Sequence, residues 1–349
     1  MAKTVVLKSN LDDGVPGPEL FEIVESPMPK LGDGVLVQVL AMSVDPYMRP
    51  RLRRGGGYVA GKPLSGLVSG RVLESAVPEW KAGDFFSGSL IYSDFQAVPA
   101  SALKSSWFWR LPEWITQDQI SLGIGALGMP GSTAYGGLID ILRPQKGETI
   151  WVSGAAGAVG SMVGMLAKNL FGCTVIGSAG GPEKCKLVKE FFGFDACVDY
   201  KLCKDAKELG DAVKAVAPKG IDMYFENVGG MHFEAAMRNL RMDGRVAVCG
   251  VISVYNDKHP EPNKVHLVNM IYTHQRIEGF DCFPWLAGQR GNFHQDMAKW
   301  VKEGHIKVQE THFHGISSFG EALKSLFVGG NTGKVVIQLP AASVRSSKL

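Results

Sequence analysis

Residues 152–164 read VSGAAGAVGSMVG, a stretch that offers a ligand almost no side-chain chemistry. The segment that leads into it, TIWVSG, is typical of a strand, and the residues after Ala158 favour a helix. The glycines from Gly154 to Gly160 therefore lie on a strand-to-helix turn, the context of a dinucleotide fingerprint. Glycine lets the backbone approach a ligand, and the unpaired amides of a helix N-terminus favour a pyrophosphate. The turn predicts a nucleotide site, and the alternative is a structural turn that packs the helix on the sheet.

Short apolar strands alternate with helical segments after Met129-Pro130-Gly131. The strand segments are TIWVSG (149–154), CTVIGS (173–178), ACVDY (196–200), IDMYFEN (221–227), RVAVCG (245–250) and RIEGF (276–280). Helix-compatible sequence separates each from the next, which is the signature of a doubly wound parallel sheet. We predict an α/β fold in which this sheet forms one of two domains.

The N-terminal region has a different periodicity. From residue 34 to about 100 the apolar spacing has a period of two, as in GVLVQVLAMSV and GSLIYSDFQAV, which predicts an all-β region. From about Val308 the chain holds a strand, a helix near FGEALKSLFVGG and a closing strand GKVVIQL. A lone strand and helix cannot form a core, so we expect this segment to complete the N-terminal domain. The predicted domains are residues 1–125 completed by 308–340, a nucleotide-binding domain at 126–307, and an extension at 341–349.

Composition narrows the class of partner. The chain has 349 residues, 45% of them apolar, and a formal charge of +3. So small a charge indicates neither a nucleic acid nor an anionic membrane surface, and we expect a small-molecule partner. The six cysteines contain no CxxC pair, which suits reduced thiols in an intracellular compartment. The uncharged runs at 121–139 and 149–167 are dense in Gly and Ser, and we interpret them as buried soluble segments.

The two termini differ in the targeting information they carry. The N-terminus, MAKTVVLKSNLDDG, has no long apolar stretch and no small-residue cleavage site, so we do not expect export. The chain ends in Ser347-Lys348-Leu349, the peroxisomal address, which an import receptor reads. The alternative is an inert solvated tail after Pro340. We predict a peroxisomal location, and a cytoplasmic one if this signal is accidental.

The end of the second predicted strand bears on the choice of nucleotide. NAD-binding proteins place an acidic residue there, on the ribose 2′-hydroxyl. This chain has Ser178, Ala179, Gly180 and Gly181 instead, followed by Lys184 as the first basic group. A lysine at this place can meet a 2′-phosphate, so we predict NADP(H). The alternative role for Lys184 is a solvated residue at the start of a helix.

A β-rich domain followed by a nucleotide-binding domain resembles the medium-chain dehydrogenase/reductase superfamily, with its GroES-like and Rossmann domains. Zinc members of that superfamily take ligands partly from the N-terminal domain, but this chain has no Cys before Cys173 and no His before His232. Where a zinc member carries Gly-His-Glu, this chain has GKPLSG. His312-Phe313-His314 is the one His pair, and we expect a strand that faces solvent there. We predict no metal.

Six blocks of sequence resemble a narrower group, the zinc-independent NADPH-dependent alkenal/one oxidoreductases. They are SVDPYMRP at 43–50, LGMPGSTAY at 127–135, SGAAGAVGS at 153–161, NVGG at 227–230, CGVISVYN at 249–256 and NTGK at 331–334. The group includes leukotriene hydroxydehydrogenase/prostaglandin reductases and plant double-bond reductases, and the resemblance runs from about residue 5 to 340. It implies cofactor contacts at Gly157, Ala158, Val159, Gly160, Lys184, Tyr200, Asn227, Cys249, Gly250, Val251, Ile252, Ser253, Tyr255, Phe280, Asp281, Cys282 and Asn331.

The resemblance also implies a reaction, the reduction of a conjugated C=C–C=O group by hydride transfer to its β-carbon. Negative charge then develops on the carbonyl oxygen, and the site must stabilise it and supply a proton. A phenol donates a hydrogen bond there without carrying a charge, so Tyr255 is the candidate donor and Tyr47 a second one from the other domain. The alternatives are a surface role for Tyr255, a packing role for Tyr47, and a cofactor ribose hydroxyl that shares the proton transfer.

An arginine-rich loop, RPRLRRGGG, follows Tyr47 and contains Arg49, Arg51, Arg53 and Arg54. It is interpreted either as a solvated, mobile loop or as a clamp for an anionic substrate tail, such as a carboxylate or a coenzyme A phosphate.

Other functions remain open at this point. The alternatives are a quinone oxidoreductase of the same superfamily, an enoyl-thioester reductase, and a non-enzymatic protein that holds NADPH. By analogy with the superfamily, we expect a homodimer through the edge of the Rossmann sheet.

Overall fold

The computed structural model describes residues 1–265 and 267–341, and its strands and helices are numbered here along the chain. The strands are β1 (Ala2–Leu7), β2 (Phe21–Ser26), β3 (Val35–Val44), β4 (Ser65–Ser75), β5 (Phe85–Ile91), β6 (Phe95–Val98), β7 (Phe108–Arg110), β8 (Thr149–Val152), β9 (Thr174–Ala179), β10 (Ala196–Asp199), β11 (Ile221–Glu226), β12 (Leu240–Val248), β13 (Arg276–Gly279), β14 (Glu310–His314) and β15 (Lys334–Gln338).

The α-helices are mostly short. They are α1 (Met48–Arg51), α2 (Ala100–Leu103), α3 (Met129–Tyr135), α4 (Ala158–Phe171), α5 (Pro182–Glu190), α6 (Ala206–Val216), α7 (Met231–Asn239), α8 (Leu267–Thr273), α9 (Phe283–Leu286), α10 (Phe293–Lys302) and α11 (Phe319–Ser325). Short 3-10 helices span Pro18–Leu20, Gln117–Ile124, Tyr200–Leu202, Ile252–Val254 and Ile316–Ser318, and a π-helix spans Gly136–Leu142.

Six of the strands form the parallel sheet of the second domain. All six predicted segments form strands, and their order across the sheet is β10–β9–β8–β11–β12–β13. The chain order reverses between β8 and β11, and ligands of doubly wound sheets bind outside the carboxyl ends of the strands at such a switch point. The prediction of a Rossmann domain is confirmed, and the nucleotide turn follows β8 directly.

The first domain is built on a seven-stranded sheet. Its order is β14–β15–β3–β4–β5–β7, and β6 also pairs with β3. All ten residues of β3 are buried, because both of its faces are covered. The pairing of β15 with β3 is antiparallel and joins Val335 to Val44 and Gln338 to Ala41. The C-terminal segment therefore lies in the N-terminal sheet.

Three features of the first domain differ from the sequence prediction. β1 and β2 form a separate antiparallel pair, which the sequence did not predict because β2 alternates poorly and most of its residues are exposed. The predicted all-β region also contains α1 and borders on α2. In α1, Pro50 lies inside a four-residue helix that is too short to show a helical period.

The uncharged runs at 121–139 and 149–167 fold into short elements of the two domains. Within residues 1–265 and 267–341, no helix combines the length and the apolar character that are needed to cross a bilayer.

Candidate functional site

A cavity of about 650 Å³ lies between the two domains, at the carboxyl ends of β8 and β11. Both domains contribute to its wall. Fourteen of the predicted site residues line it: Tyr47, Gly157, Ala158, Val159, Gly160, Lys184, Tyr200, Asn227, Cys249, Gly250, Ile252, Ser253, Tyr255 and Asn331.

The nucleotide turn forms one side of the cavity and is shaped by its glycines. Gly154 has a positive φ of 61°, which L side chains rarely adopt. A Cβ on Gly160 would lie 2.5 Å from the carbonyl oxygen of Gly154, so the turn accepts no side chain at this place. α4 has no acidic residue in its first turn, and the first amides of a helix have no intrahelical acceptor. These donors and this backbone cradle fit a pyrophosphate.

The far end of the cavity carries positive charge. Lys184 and Tyr200 both line it, and the Lys184 Nζ donates to the carbonyl of Gly329 at 3.1 Å. Burial and then the charge of Lys201 lower the pKa of Lys184. A Cβ on Gly180 would lie 2.9 Å from the Tyr200 hydroxyl and 3.0 Å from Lys201 Cε. Sequence reasoning missed Lys201, although its place next to Tyr200 was a signal.

A buried carboxylate holds the loops that follow β8 and β11. Glu226 is fully buried, and its Oε1 accepts from the Ser153 hydroxyl at 3.0 Å, from Val228 N–H at 2.6 Å and from Gly229 N–H at 2.9 Å. Burial raises the pKa of Glu226. The Asn227 Nδ2 donates to the carbonyl of Ser153 at 2.7 Å. Sequence reasoning missed Glu226, whose signal was an acidic residue at the end of an apolar strand.

Tyr255 lies beside the loop that follows β12. Its hydroxyl oxygen accepts the Val251 N–H at 3.3 Å, and in the described part of the chain no acceptor is recorded for its own proton. Burial raises the pKa of Tyr255 above its usual value, so the phenol is protonated at neutral pH. Tyr47 lines the same cavity from the first domain, and burial raises its pKa well above the usual range. The structure therefore brings both predicted phenols to one cavity.

A buried ion pair lies where the cavity meets the first sheet. The Lys334 Nζ is 2.9 Å from Asp45 Oδ1 and donates to the carbonyl of Val44 at 2.7 Å. Asp45 also accepts from the Ser43 hydroxyl. Next to Lys334, the Gly333 N–H donates to Ala156 O of the nucleotide turn at 2.7 Å. Sequence reasoning missed this pair because its partners are 289 positions apart.

Four of the predicted cofactor contacts lie outside the cavity wall. Val251 contributes its backbone N–H to the Tyr255 hydroxyl, and the Phe280 ring packs edge-on against Phe225 and Trp285. Asp281 Oδ1 accepts the Phe283 N–H at the start of α9. The Cys282 carbonyl accepts from Ser132, and burial raises the pKa of its thiol to about 11. Their contact with a cofactor stays a prediction.

The arginine-rich loop matches neither interpretation as a whole. Arg49 is fully buried and donates to three backbone carbonyls, so it is neither solvated nor available to a substrate anion. Arg54 is solvated, with 83% of its side chain exposed. None of the four arginines is among the described residues that line the cavity.

The metal question concerns the described residues only. Among residues 1–265 and 267–341, no group of three or more His, Cys, Asp or Glu side chains is arranged to hold a metal ion. His312 and His314 are exposed on β14, the solvent-facing strand that the sequence predicted. That the protein works without a metal stays a prediction.

Comparison with known proteins places the chain in a family. The models for a zinc-binding dehydrogenase and for the N-terminal domain of an oxidoreductase match residues 158–303 and 3–105. A 2-alkenal reductase (NADP(+)-dependent) of Nicotiana tabacum is 38% identical over 348 residues, which cover 97% of both chains. Prostaglandin reductase 1 of Rattus norvegicus is 37% identical, over 97% of this chain and 99% of the relative.

A solved structure agrees over the same span. CurA from Vibrio vulnificus in complex with NADPH superposes with a TM-score of 0.83 and 32% identity, covering 97% of this chain and all of the other. The similarity thus includes both domains. The chain belongs to the NADPH-dependent alkenal/one oxidoreductase group of the medium-chain dehydrogenase/reductase superfamily.

Proposed function

We propose that the protein uses NADPH to reduce the C=C bond of α,β-unsaturated aldehydes and ketones, by hydride transfer to the β-carbon. The observation that carries this proposal is the position of the Tyr255 hydroxyl in the cavity beside the nucleotide turn. Its oxygen accepts a hydrogen bond, but its own proton is donated to no acceptor among the described residues. The relatives named as a 2-alkenal reductase and a prostaglandin reductase support it.

NADPH, when bound, supplies the hydride. The nucleotide turn would hold the pyrophosphate through the amides of Ala158–Gly160, and Lys184 with Lys201 would provide positive charge for the 2′-phosphate. The Val251 N–H donates a hydrogen bond to the Tyr255 hydroxyl oxygen, which leaves the O–H of Tyr255 to donate to the substrate carbonyl oxygen. As charge develops on that oxygen, the donated hydrogen bond strengthens, and the phenol is the proton source.

The test is a panel of substrates followed by the loss of NADPH absorbance. The panel holds an enal, an enone, a quinone, an enoyl-coenzyme A thioester and a saturated aldehyde. We expect turnover with the enal and the enone, and NADPH deuterated at C4 should deliver its label to the β-carbon, as mass spectrometry of the product will show. Label on the carbonyl carbon, or turnover confined to the quinone or the thioester, would overturn the proposal.

Tyr255→Phe tests the proton donor, because it keeps the ring and removes only the hydroxyl. We expect kcat with the enone to fall by about 10²-fold or more if Tyr255 acts alone, and by less if a ribose hydroxyl shares the role, while the Kd for NADPH is unchanged. Tyr135→Phe is the matched control, since it removes a buried hydroxyl that donates to Asp296 at 2.7 Å. An unchanged kcat in Tyr255→Phe, with hydride transfer rate-limiting, rules Tyr255 out.

A homodimer through the edge of the second sheet is also part of the proposal. β13 is the last strand of that sheet among the described residues, so its outer backbone groups face no further strand. The adjacent helix α8 exposes Leu267, Val268, Ile271 and Tyr272, which are 55–73% exposed. An open edge beside an exposed apolar helix suits a second copy of the chain, because the copy pairs the edge and covers the helix together.

Light scattering coupled to gel filtration tests the dimer. We expect the mass of two chains for the native protein and of one chain for Ile271→Glu. Since each copy contributes residue 271 to a two-fold interface, the variant would bury two unpaired carboxylates there, which opposes association. Val24→Glu on β2, where Val24 is 44% exposed, is the control and should leave the mass unchanged. A native mass of one chain at micromolar concentration would contradict the dimer.

The peroxisomal location rests on Ser347-Lys348-Leu349, which lie outside the described residues. We expect deletion of these three residues to move the protein from peroxisomes to the cytosol without a change in activity, as fluorescence microscopy will show. A cytosolic location of the intact protein would mean that the import receptor does not read the sequence.

A further inference from the structure

The loop that begins with Tyr255 is held by the other domain. This loop, residues 255–258, is called here the Tyr255 loop. Arg53 Nη2 donates to the carbonyls of Tyr255 at 3.1 Å and Asp257 at 2.5 Å. Arg49 Nη2 and the Gly14 N–H both donate to the carbonyl of Asn256, at 3.3 and 2.8 Å. Every backbone carbonyl from 255 to 257 therefore accepts from the first domain.

Arg49 is held rigidly within the first domain. Its Nε donates to the carbonyl of Gly14 and its Nη1 to that of Leu11, both at 2.9 Å, and the residue is fully buried. Burial lowers the pKa of Arg49, and the charge of Arg53 adds to this effect. A planar fork of donors matches several carbonyls whose directions are fixed, which an ammonium group does not. The two guanidinium groups thus bind neutral backbone, not a substrate anion.

The two arginines are close in sequence to Tyr47 and contact the loop of Tyr255, the two phenols of the cavity. Tyr47 immediately precedes α1, which carries Arg49, and Arg53 follows two residues after α1 ends. On the other side, Tyr255 has its hydroxyl held by Val251 N–H and its carbonyl held by Arg53. One end of Tyr255 is thus attached to the second domain and the other end to the first.

We propose that Arg53, supported by Arg49, is a positioning residue that sets the Tyr255 hydroxyl in the cavity. This inference rests on the proposed role of Tyr255 as the hydroxyl donor. A shift of about 1 Å in a reacting group can lower a rate about 10²-fold, and loss of the Arg53 contacts frees the carbonyls on either side of Asn256. Arg53 is not among the described residues that line the cavity, and it reaches the cavity through its contact with Tyr255.

A double-mutant cycle distinguishes positioning from a general structural role. We would measure kcat for an enone and Kd for NADPH in the native protein, Arg53→Ala, Tyr255→Phe and the double variant. We expect Arg53→Ala to lower kcat at least about 10-fold in the native background and by less than about 2-fold in the Tyr255→Phe background, with Kd unchanged in both. Added guanidinium ion should restore part of the kcat of Arg53→Ala and none of that of Tyr255→Phe.

Arg54→Ala is the matched control, because Arg54 is the next residue and contacts only Asp12 among the described residues. We expect it to leave kcat unchanged. Arg53→Gln keeps most of the side-chain stem and one donor group, and the cycle is repeated with it if Arg53→Ala does not fold.

The outcomes separate the two proposals. If Tyr255→Phe lowers kcat and the loss from Arg53→Ala is equal in both backgrounds, or absent, the positioning role is overturned and the function of Tyr255 stands. If Tyr255→Phe leaves kcat unchanged, the role of Tyr255 as donor is overturned, and the positioning role with it.

Discussion

Individual side chains at the two ends of the cavity differ in how well the sequence predicted them. Lys184 was predicted from its place after the second strand of the parallel sheet, and Tyr200 from the resemblance to the alkenal/one oxidoreductases, and both line the cavity. Glu226 and Lys334 act through partners far along the chain, and the direction of a buried side chain depends on packing that no local pattern contains. The arginine-rich loop shows the same limit, since its charge density indicated either solvent or an anionic substrate for these arginines, and the fold buries Arg49 completely.

Lys184→Ala tests the cofactor preference. We expect KM for NADPH to rise about 10-fold or more while KM for NADH changes little, because the variant loses the positive charge proposed to meet the 2′-phosphate, which NADH lacks. Lys186→Ala, an exposed lysine on the same helix, is the control. Lys201→Ala should show the same selective loss. Equal losses with both cofactors would contradict the assignment of this end of the cavity to a 2′-phosphate.

His232 predicts a dependence of stability on pH. It is buried between the rings of Trp151 and Tyr200, and burial lowers its pKa from 6.5 to about 4. As the pH falls below 6.5 the unfolded chain takes up a proton that the folded chain does not. We therefore expect this residue to lower the free energy of unfolding by about 3 kcal/mol between pH 7 and pH 4.

His232→Phe removes the titrating group, so urea unfolding of this variant should lose less stability between pH 7 and pH 4 than the native protein. His259→Phe, at an exposed histidine, keeps the native dependence. The same pH dependence in His232→Phe and the native protein would show that His232 does not contribute.

At the scale of elements, the strand-to-helix turn suits both roles that the sequence allowed. Its glycines leave room for the proposed pyrophosphate, and Gly164 in α4 lets the helix pack closely, since a Cβ there would collide with the Phe194 ring. Strands β8, β9 and β11 were predictable because buried strands are nearly continuous runs of apolar residues, and the other three because they alternate with helical segments. The pair β1–β2, helix α1 and the π-helix at Gly136–Leu142 were not, because each is short or depends on neighbours that are distant in the chain.

Gly160→Ala tests the turn. The new Cβ would meet the carbonyl oxygen of Gly154 at 2.5 Å, so the turn must shift, and we expect a loss of about 1–3 kcal/mol in the free energy of unfolding and a Kd for NADPH at least about 10-fold higher. Fluorescence titration with NADPH and urea unfolding measure the two effects. Gly32→Ala is the control, since a Cβ at Gly32 meets no atom within 4 Å. Native affinity in Gly160→Ala would contradict the close approach.

At the scale of the whole molecule, the sequence predicted the two domains and the return of the C-terminal segment, because an isolated strand and helix cannot form a core. It did not predict how the domains meet. That junction is made by the carbonyls of the Tyr255 loop and by the hydrogen bond that Gly333 donates to Ala156 of the nucleotide turn, and the buried ion pair of Lys334 with Asp45 lies beside it in the first domain. These contacts join residues that only the completed fold brings together.

Lys334→Met tests the buried ion pair of the first domain. It removes one charge of a pair in which both side chains are 4% exposed, so the carboxylate of Asp45 is left buried without its cation. We expect a loss of about 3–5 kcal/mol in the free energy of unfolding, measured with urea. Adding Asp45→Asn to Lys334→Met removes the remaining charge and should recover part of the loss. A single variant as stable as the native protein would show that the pair does not stabilise the first domain.

The place of β15 beside β3 determines the order in which the first domain is completed during synthesis. On the ribosome, β3 emerges early, yet its edge from Ala41 to Val44 pairs with a strand that ends at Gln338. At about 5–20 residues per second, the intervening chain takes about 15–60 s to translate. Once β13 has emerged, the second domain has the whole of its sheet available for folding, while an apolar strand edge of the first domain stays unpaired. We therefore expect the unpaired backbone of β3 in the nascent chain to be open to chaperones until translation has passed residue 338.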